Sequence, residues 1–160
     1  MLSPIKIIGL GNIVRGDDAI GHLVLQELQR NDQFPLSLVN GGIAGLNLLY
    51  ELEGMDAVIL IDAVSSQSEA GTIHRLTIPQ DWGKIRQWTW SSSVTSTHAF
   101  GLGEALTLAE TLGILPPQTV IYGIELGTVT IGNSMSPGVE ESIQTVATQI
   151  IAEAGPFSHA

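Results

Sequence analysis

Cysteine is absent from this 160-residue chain, which removes disulfide bridges and thiolate metal sites in one step. Cations are scarce too: six Lys and Arg stand against sixteen Asp and Glu, a formal charge of −10. So few positive groups cannot neutralise a phosphate backbone or an anionic bilayer, which argues against nucleic acid and membrane partners and favours cationic or metal-bearing ones. No apolar run approaches the roughly 20 residues of a membrane span. The start Met1-Leu2-Ser3-Pro4 runs straight into apolar residues and is read as leaving no room for a signal sequence, so a cytoplasmic protein is expected. What is present is core: 44% of residues are hydrophobic and 14% charged, which predicts one compact domain and excludes disorder.

The most informative stretch is residues 5–21, IKIIGLGNIVRGDDAIG, where an apolar run meets a glycine-rich turn and two adjacent acids. β-Branched Ile5, Ile7 and Ile8 read as a short buried strand, and Gly9 and Gly11 permit a tight exit. Two phosphate-binding patterns nearly fit. A dinucleotide fingerprint needs a third glycine where Val14 stands, and a Walker A loop, approached by Gly11-x4-Gly16, needs Lys-Ser/Thr where Asp17-Asp18 stand. Two carboxylates repel phosphate, so the loop is better suited to a cation or to proton transfer.

From Ala19 to Gln29, Ile20, Leu23, Val24 and Leu28 share one face and predict an amphipathic helix. Leu36–Val39 predicts a second strand ended by Asn40-Gly41-Gly42, followed by a brief helix around Leu46–Leu52. Ala57–Ile61 is the most apolar strand and is expected to stop at Asp62; its continuous apolarity implies burial on both faces, as in parallel sheets. Thr72–Ile78 alternates as an edge strand, possible in antiparallel sense, and 79–96 reads as a long irregular segment of functional interest. A helix from His98 to about Leu112 capped by Thr97, a strand over Thr119–Ile124, a loop over Gly127–Ser136 and a last helix from Pro137 complete the series. The pattern predicts a single three-layer α/β domain over 1–154, with a mostly parallel central sheet of about five strands, helices on both faces, and a flexible tail over 155–160.

In such folds ligands gather beyond the carboxyl ends of the strands. That rule selects Asp17 and Asp18 after the first strand, Asn40 after the second, Asp62 after the central one, and His98 at the start of a helix on the same rim. Without sulfur, such a set suits a divalent metal such as nickel, zinc or manganese held through oxygen and nitrogen. Each residue has a plainer reading: Asp18 as a helix-start acid, Asp17 as an N-cap, Asp62 as a turn cap, His98 as a cap or packing residue. His22, one helical turn beyond Asp18, could share its face but is assigned a surface role; His74 and His159 are set aside; Arg15 could shield the acid pair, with a solvated loop cation as the simpler account. Trp82, Trp88 and Trp90, beside Lys84 and Arg86, either mark a partner surface or fold back over the sheet edge.

Assembled in order, these positions resemble the hydrogenase maturation endopeptidases of nickel-iron hydrogenases. The likeness runs from Gly9-Leu10-Gly11-Asn12 and Asp17-Asp18-Ala19-Ile20-Gly21, through Asn40-Gly41-Gly42-x-Ala44-Gly45 and Ile61-Asp62-Ala63, to Thr97-His98, Gly101-Leu102 and Ser136-Pro137. The resemblance implies that Asp18, Asp62 and His98 bind nickel carried by the substrate, and that the activity removes a carboxy-terminal extension from the hydrogenase large-subunit precursor once nickel is inserted. Asp17, beside Asp18 in the catalytic acid pair, is then the expected base for water, its pKa raised by the accumulated negative charge. Two departures stand out. Family members often have Asp where Asn40 stands, and Gly-Ile-x-Pro-Glu where this chain has Gly123-Ile124-Glu125-Leu126-Gly127. The rival readings are a metal-dependent hydrolase of another substrate and a non-catalytic, nickel-dependent binding module.

Overall fold

Three parallel pairings organise the sheet. In the computed structural model, which describes residues 5–11, 19–30, 37–42, 46–90, 101–126 and 137–158, β1 (Ile5–Leu10) lies between β2 (Ser37–Gly42) and β3 (Ala57–Ser65), both parallel to it. β6 (Gln118–Glu125) runs parallel to β3 on its other edge, and β4 (Ile73–Thr77) closes the sheet antiparallel to β6, giving the order β2-β1-β3-β6-β4. The edge position and antiparallel sense of β4 agree with its alternating sequence, and the mostly parallel sheet agrees with the buried strand runs.

Helices cover both faces. α1 (Ile20–Gln29) and α5 (Pro137–Ser158) pack on the face formed by Ile7, Ile59, Ile61, Ala63 and Ile124. α2 (Leu46–Leu52), α3 (Trp82–Gln87) and α4 (Leu102–Thr111) cover the opposite face, where Ile8, Leu10, Leu60, Val64 and Ile121 are buried. Because successive strand residues point to opposite faces, β3 feeds both cores, and its residues from Ala57 to Val64 are all buried.

Several boundaries differ from the sequence reading. β3 does not stop at Asp62 but continues to Ser65, because Val64 is paired with Glu125 on one edge and Trp90 on the other. Asn40-Gly41-Gly42 lies inside β2 rather than after it, with Asn40 opposite Gly9. The stretch 79–96 holds α3 and a two-residue strand, β5 (Thr89–Trp90). A single turn and a half of helix with only Ile85 buried has no repeating apolar stripe to announce it. α4 begins at Leu102, not His98; the Gly101 N–H donates to Glu104 Oε1 at 2.8 Å, which satisfies a free donor at the helix start. α5 runs to Ser158, past the limit of 154 set from the sequence.

The joint between β1 and α1 is tight. A Cβ at Gly9 would lie 2.5 Å from the Gly21 oxygen, and one at Gly21 would lie 2.3 Å from the Leu10 oxygen. Only glycine on both sides lets the helix start so close to the end of the strand.

Candidate functional site

Asp62 is fully buried, an expensive place for a carboxylate, and the sheet register explains its setting. β1 accompanies β3 as far as the pair Gly9–Ile61. β5 runs in the opposite direction along the same edge and pairs Trp90 with Val64. Asp62 and Ala63 lie in the gap between those two strand ends. β1 also marks the point where the chain order reverses, with β2 reached on one side and β3 on the other, and such switch points are where open α/β sheets bind ligands.

Asp62 shares its face with Leu60 and Val64, the face covered by α4. Its Oδ1 accepts the Ala63 N–H at 2.9 Å. Its neighbour across β6 is Gly123, followed on β4 by His74, so Asp62, Gly123 and His74 form a row across three strands. The absent side chain of Gly123 is replaced by the indole of Trp90: a Cβ there would meet Trp90 Cζ3 at 2.9 Å. Trp90 is buried and its Nε1–H donates to the Ile85 carbonyl at 2.9 Å, which settles it as a core residue. Trp82 and Trp88 are half-buried against the same core, with the Arg86 guanidinium 4.2 Å over the Trp82 ring and Lys84 Nζ 5.9 Å from that of Trp88.

Two residues further along β6, on the same face, the Glu125 carboxylate gathers four donors. Oε1 accepts the Ser66 and Ser68 N–H groups at 2.7 and 3.1 Å, and Oε2 accepts the Ser66 hydroxyl and His74 Nε2 at 2.7 and 3.1 Å. Burial pushes the Glu125 pKa up, but the donors of Ser66, His74 and Ser68 outweigh it and hold the carboxyl below its ordinary value. The His74 ring packs against Trp88 with centroids 4.7 Å apart. His74, set aside from sequence as a mid-strand residue, therefore belongs to a polar cluster on the rim. An acid following Gly-Ile at the end of a buried strand was its available signal.

His22 corrects a second assignment. It is buried at 6% exposure rather than on the surface, and its Nε2 donates to the Gly11 carbonyl at 2.7 Å. Nδ1 has no hydrogen-bond partner among the described residues.

Of the residues selected from sequence, Asp62 is placed in the fold, and Asn40 is placed by its backbone register only. Asp17, Asp18, Arg15, His98 and His159 lie outside the described residues. The segments that carry the first four have described anchors, however. Residues 12–18 follow Gly11 at the end of β1, and 91–100 follow Trp90 at the end of β5. Both anchors flank the gap at Asp62. Among the described residues no three His, Asp or Glu side chains converge on a metal-binding point, and no helix is long and apolar enough to cross a membrane.

Comparison with known proteins agrees with this architecture. The family profile described as hydrogenase maturation protease matches residues 22–153. The hydrogenase expression/formation protein HupD of Bradyrhizobium diazoefficiens is 30% identical over 157 residues, covering 94% of this chain and 79% of its own. The hydrogenase 2 maturation protease of Escherichia coli is 28% identical, with 92% and 88% covered. The solved structure of the hydrogenase maturating endopeptidase HybD from E. coli superposes with a TM-score of 0.75 at 24% identity, over 95% of this chain and 92% of that one. A profile match over most of the length, a relative at this identity and a shared fold lead to one conclusion: the chain belongs to the hydrogenase maturation proteases, and it is an endopeptidase of that family.

Proposed function

We propose that this endopeptidase removes the carboxy-terminal extension of a nickel-iron hydrogenase large-subunit precursor in the cytoplasm, and that it recognises the precursor by the nickel it already holds. The observation that carries the reading is the position of Asp62: a fully buried carboxylate in the gap between β1 and β5, flanked by the anchors of the segments that hold Asp18 and His98. Two carboxylates and an imidazole form a three-donor set of oxygen and nitrogen, which suits nickel and leaves positions open for the substrate's own ligands. Desolvation of Asp62 strengthens its attraction for a cation and supports that role.

In this reading Asp18, Asp62 and His98 complete the coordination of substrate nickel and fix the scissile bond over the rim, so that most of the gain comes from positioning. Asp17 takes a proton from water as the oxygen attacks the scissile carbonyl carbon. The proton then passes to the leaving amine, and the amide bond breaks to give a new carboxy terminus and a free peptide. Asn40 stands where the family resemblance implies an Asp, and an amide cannot act as a base; Asp17 is assigned the proton because it adjoins Asp18 yet need not bind the metal.

The test is the mass of a large-subunit precursor incubated with this protein, with and without nickel. Loss of a carboxy-terminal peptide only from the nickel-loaded form supports the reading. Cleavage without nickel turns it toward a hydrolase of another kind, and nickel-dependent binding without shortening turns it toward a binding module.

A further inference from the structure

We infer that the hollow between the carboxy-terminal ends of α2 and α4 is a docking surface for a basic protein segment, which sets an apolar side chain between Tyr50 and Leu112 and a Lys or Arg beside Glu53. Among the described residues, Tyr50 and Leu112 are the large hydrophobic side chains left exposed, at 78% and 57%. Both line one hollow of about 250 Å3, together with Leu49, Glu53 and Ile114. Apolar side chains exposed singly are ordinary, but an aromatic beside an apolar hollow is what protein interfaces are enriched in. The hollow is built into the fold. α2 packs against α4, the Gln118 N–H donates to the Asp56 carbonyl at 3.2 Å and ties the start of β6 to the turn after α2, and the Ile114 N–H donates to the Ala109 carbonyl at 3.0 Å.

Its place follows from the direction of the chain. β2 and β3 are both parallel to β1, so α2, which joins them, runs back from the rim near Asp62 and ends at the opposite pole of the sheet. α4 leads into β6, parallel to β3, and ends at that pole too. A segment seated there leaves the rim free. Its charge is set by what this pole lacks. Neither α2 nor α4 has a basic residue in its last turn, so the negative ends of two helix dipoles meet there without a compensating cation. Glu53 and Asp56 are exposed, and among the described residues neither is paired with a cation. The described cations are engaged elsewhere: Lys6 with Glu51 at 3.0 Å, Arg30 with Glu27 at 3.0 Å, Arg75 with Glu153, Arg86 over the Trp82 ring and Lys84 by Trp88. A second copy of this chain would bring two such acidic poles together at a charge of −10 each, and an anionic bilayer would meet the same repulsion. A Lys or Arg of a foreign protein finds Glu53 and two helix ends in its favour.

The probe is a fluorescent peptide of Leu and Lys at helical spacing, titrated with the intact protein and read by anisotropy, beside two counterparts in which Ala replaces Leu or Glu replaces Lys. The Leu/Lys peptide is expected to bind, and both counterparts to bind about tenfold more weakly or not at all. Tyr50→Ser and Leu112→Ser should each weaken its binding by about tenfold, while Tyr50→Phe, which keeps the ring, binds as the parent does. Glu53→Lys should weaken it by about fivefold, less so at high salt. Glu69→Lys makes the same change of charge at an exposed position after β3, at the rim end of the sheet, and should have much less effect. The substituted side chains are exposed, so melting curves should match that of the parent, and if one serine variant melts early the other carries the comparison. Failure of the parent to bind the Leu/Lys peptide, unchanged binding in the serine variants, or equal losses from Glu53→Lys and Glu69→Lys overturns the proposal. A parent dimer in sedimentation equilibrium that Tyr50→Ser dissociates gives the hollow to a second copy and overturns it too. So does flotation with phosphatidylglycerol vesicles that requires Tyr50 and Leu112, which gives the hollow to a membrane.

Discussion

Gly9 and Trp90 lie along the same edge of β3 from opposite directions, Gly9 opposite Ile61 and Trp90 opposite Val64, and Asp62 falls in the interval they leave. The Asp62 carboxylate in that interval is fully buried. Asp62→Asn keeps the shape and an oxygen for the Ala63 N–H, which donates at 2.9 Å, but removes the charge. Ni2+ affinity by calorimetry should fall by about tenfold or more while the melting temperature moves by no more than about 4 °C. His98→Ala should lower the affinity similarly. Unchanged Ni2+ binding in both variants would place the site elsewhere.

Removal of the proposed base has a different signature. Asp17→Asn should bind nickel-loaded precursor nearly as the parent does, yet slow its shortening by about a hundredfold, the size of a general-base contribution. Mass spectrometry of the precursor over time measures the rate, and a pull-down of the loaded precursor measures binding. Processing at the parent rate would remove Asp17 from the chemical step.

The layer order was legible because each core strand carries its own signal. Ala57–Ile61 is apolar at every position, and a strand buried on both faces has to be. The tight end of β1 at Gly9 was visible for a similar reason, since a Cβ there would lie 2.5 Å from the Gly21 oxygen and only glycine avoids it. What stayed hidden depends on contacts between distant positions. The continuation of β3 beyond Asp62 is set by Glu125 and Trp90, 61 and 26 residues after Val64 in the numbering, which no local pattern encodes. His22 looked like a surface residue because its partner is a backbone carbonyl, and main-chain acceptors leave no trace in composition. The Glu125 cluster unites residues of β4, β6 and the segment after β3, so its donors could not be paired before the strand order was known.

Glu125 should couple stability to acid pH. Its folded pKa lies below the ordinary carboxylate value, so on acidification the unfolded chain takes up the proton first. Its contribution is therefore fully present above the ordinary carboxylate range and is lost as pH falls through the lower, folded value. Glu125→Gln removes the charge that Ser66, Ser68 and His74 serve. Denaturant midpoints from pH 7 down to about 3 should show lower stability for the variant at neutral pH and a narrowing gap as acid is added. A constant gap across that range would show that the carboxylate's charge is not what holds the cluster.

Gly123 and Trp90 supply the sharpest steric test. A methyl group at Gly123 would stand 2.9 Å from Trp90 Cζ3 and 3.1 Å from Cη2, closer than carbon atoms tolerate. The indole cannot simply slide away, because its Nε1–H is bonded to the Ile85 carbonyl and the ring is enclosed in the core. Gly123→Ala should therefore cost about 1–3 kcal/mol, the usual range for overpacking. Trp90→Phe shortens the side chain and relieves the clash, while leaving the Ile85 carbonyl without its donor, so it destabilises by itself. In the double variant the two costs should fail to add, the sum of the singles exceeding the double by about 1 kcal/mol or more. Equilibrium unfolding of the four proteins measures the cycle, and strict additivity would mean that the ring does not occupy the place left by Gly123. Since Gly123 is also the β6 neighbour of Asp62, the same Gly123→Ala variant should weaken Ni2+ binding only if displacement of the indole reaches that carboxylate. The two measurements together separate packing from function at this point of the sheet.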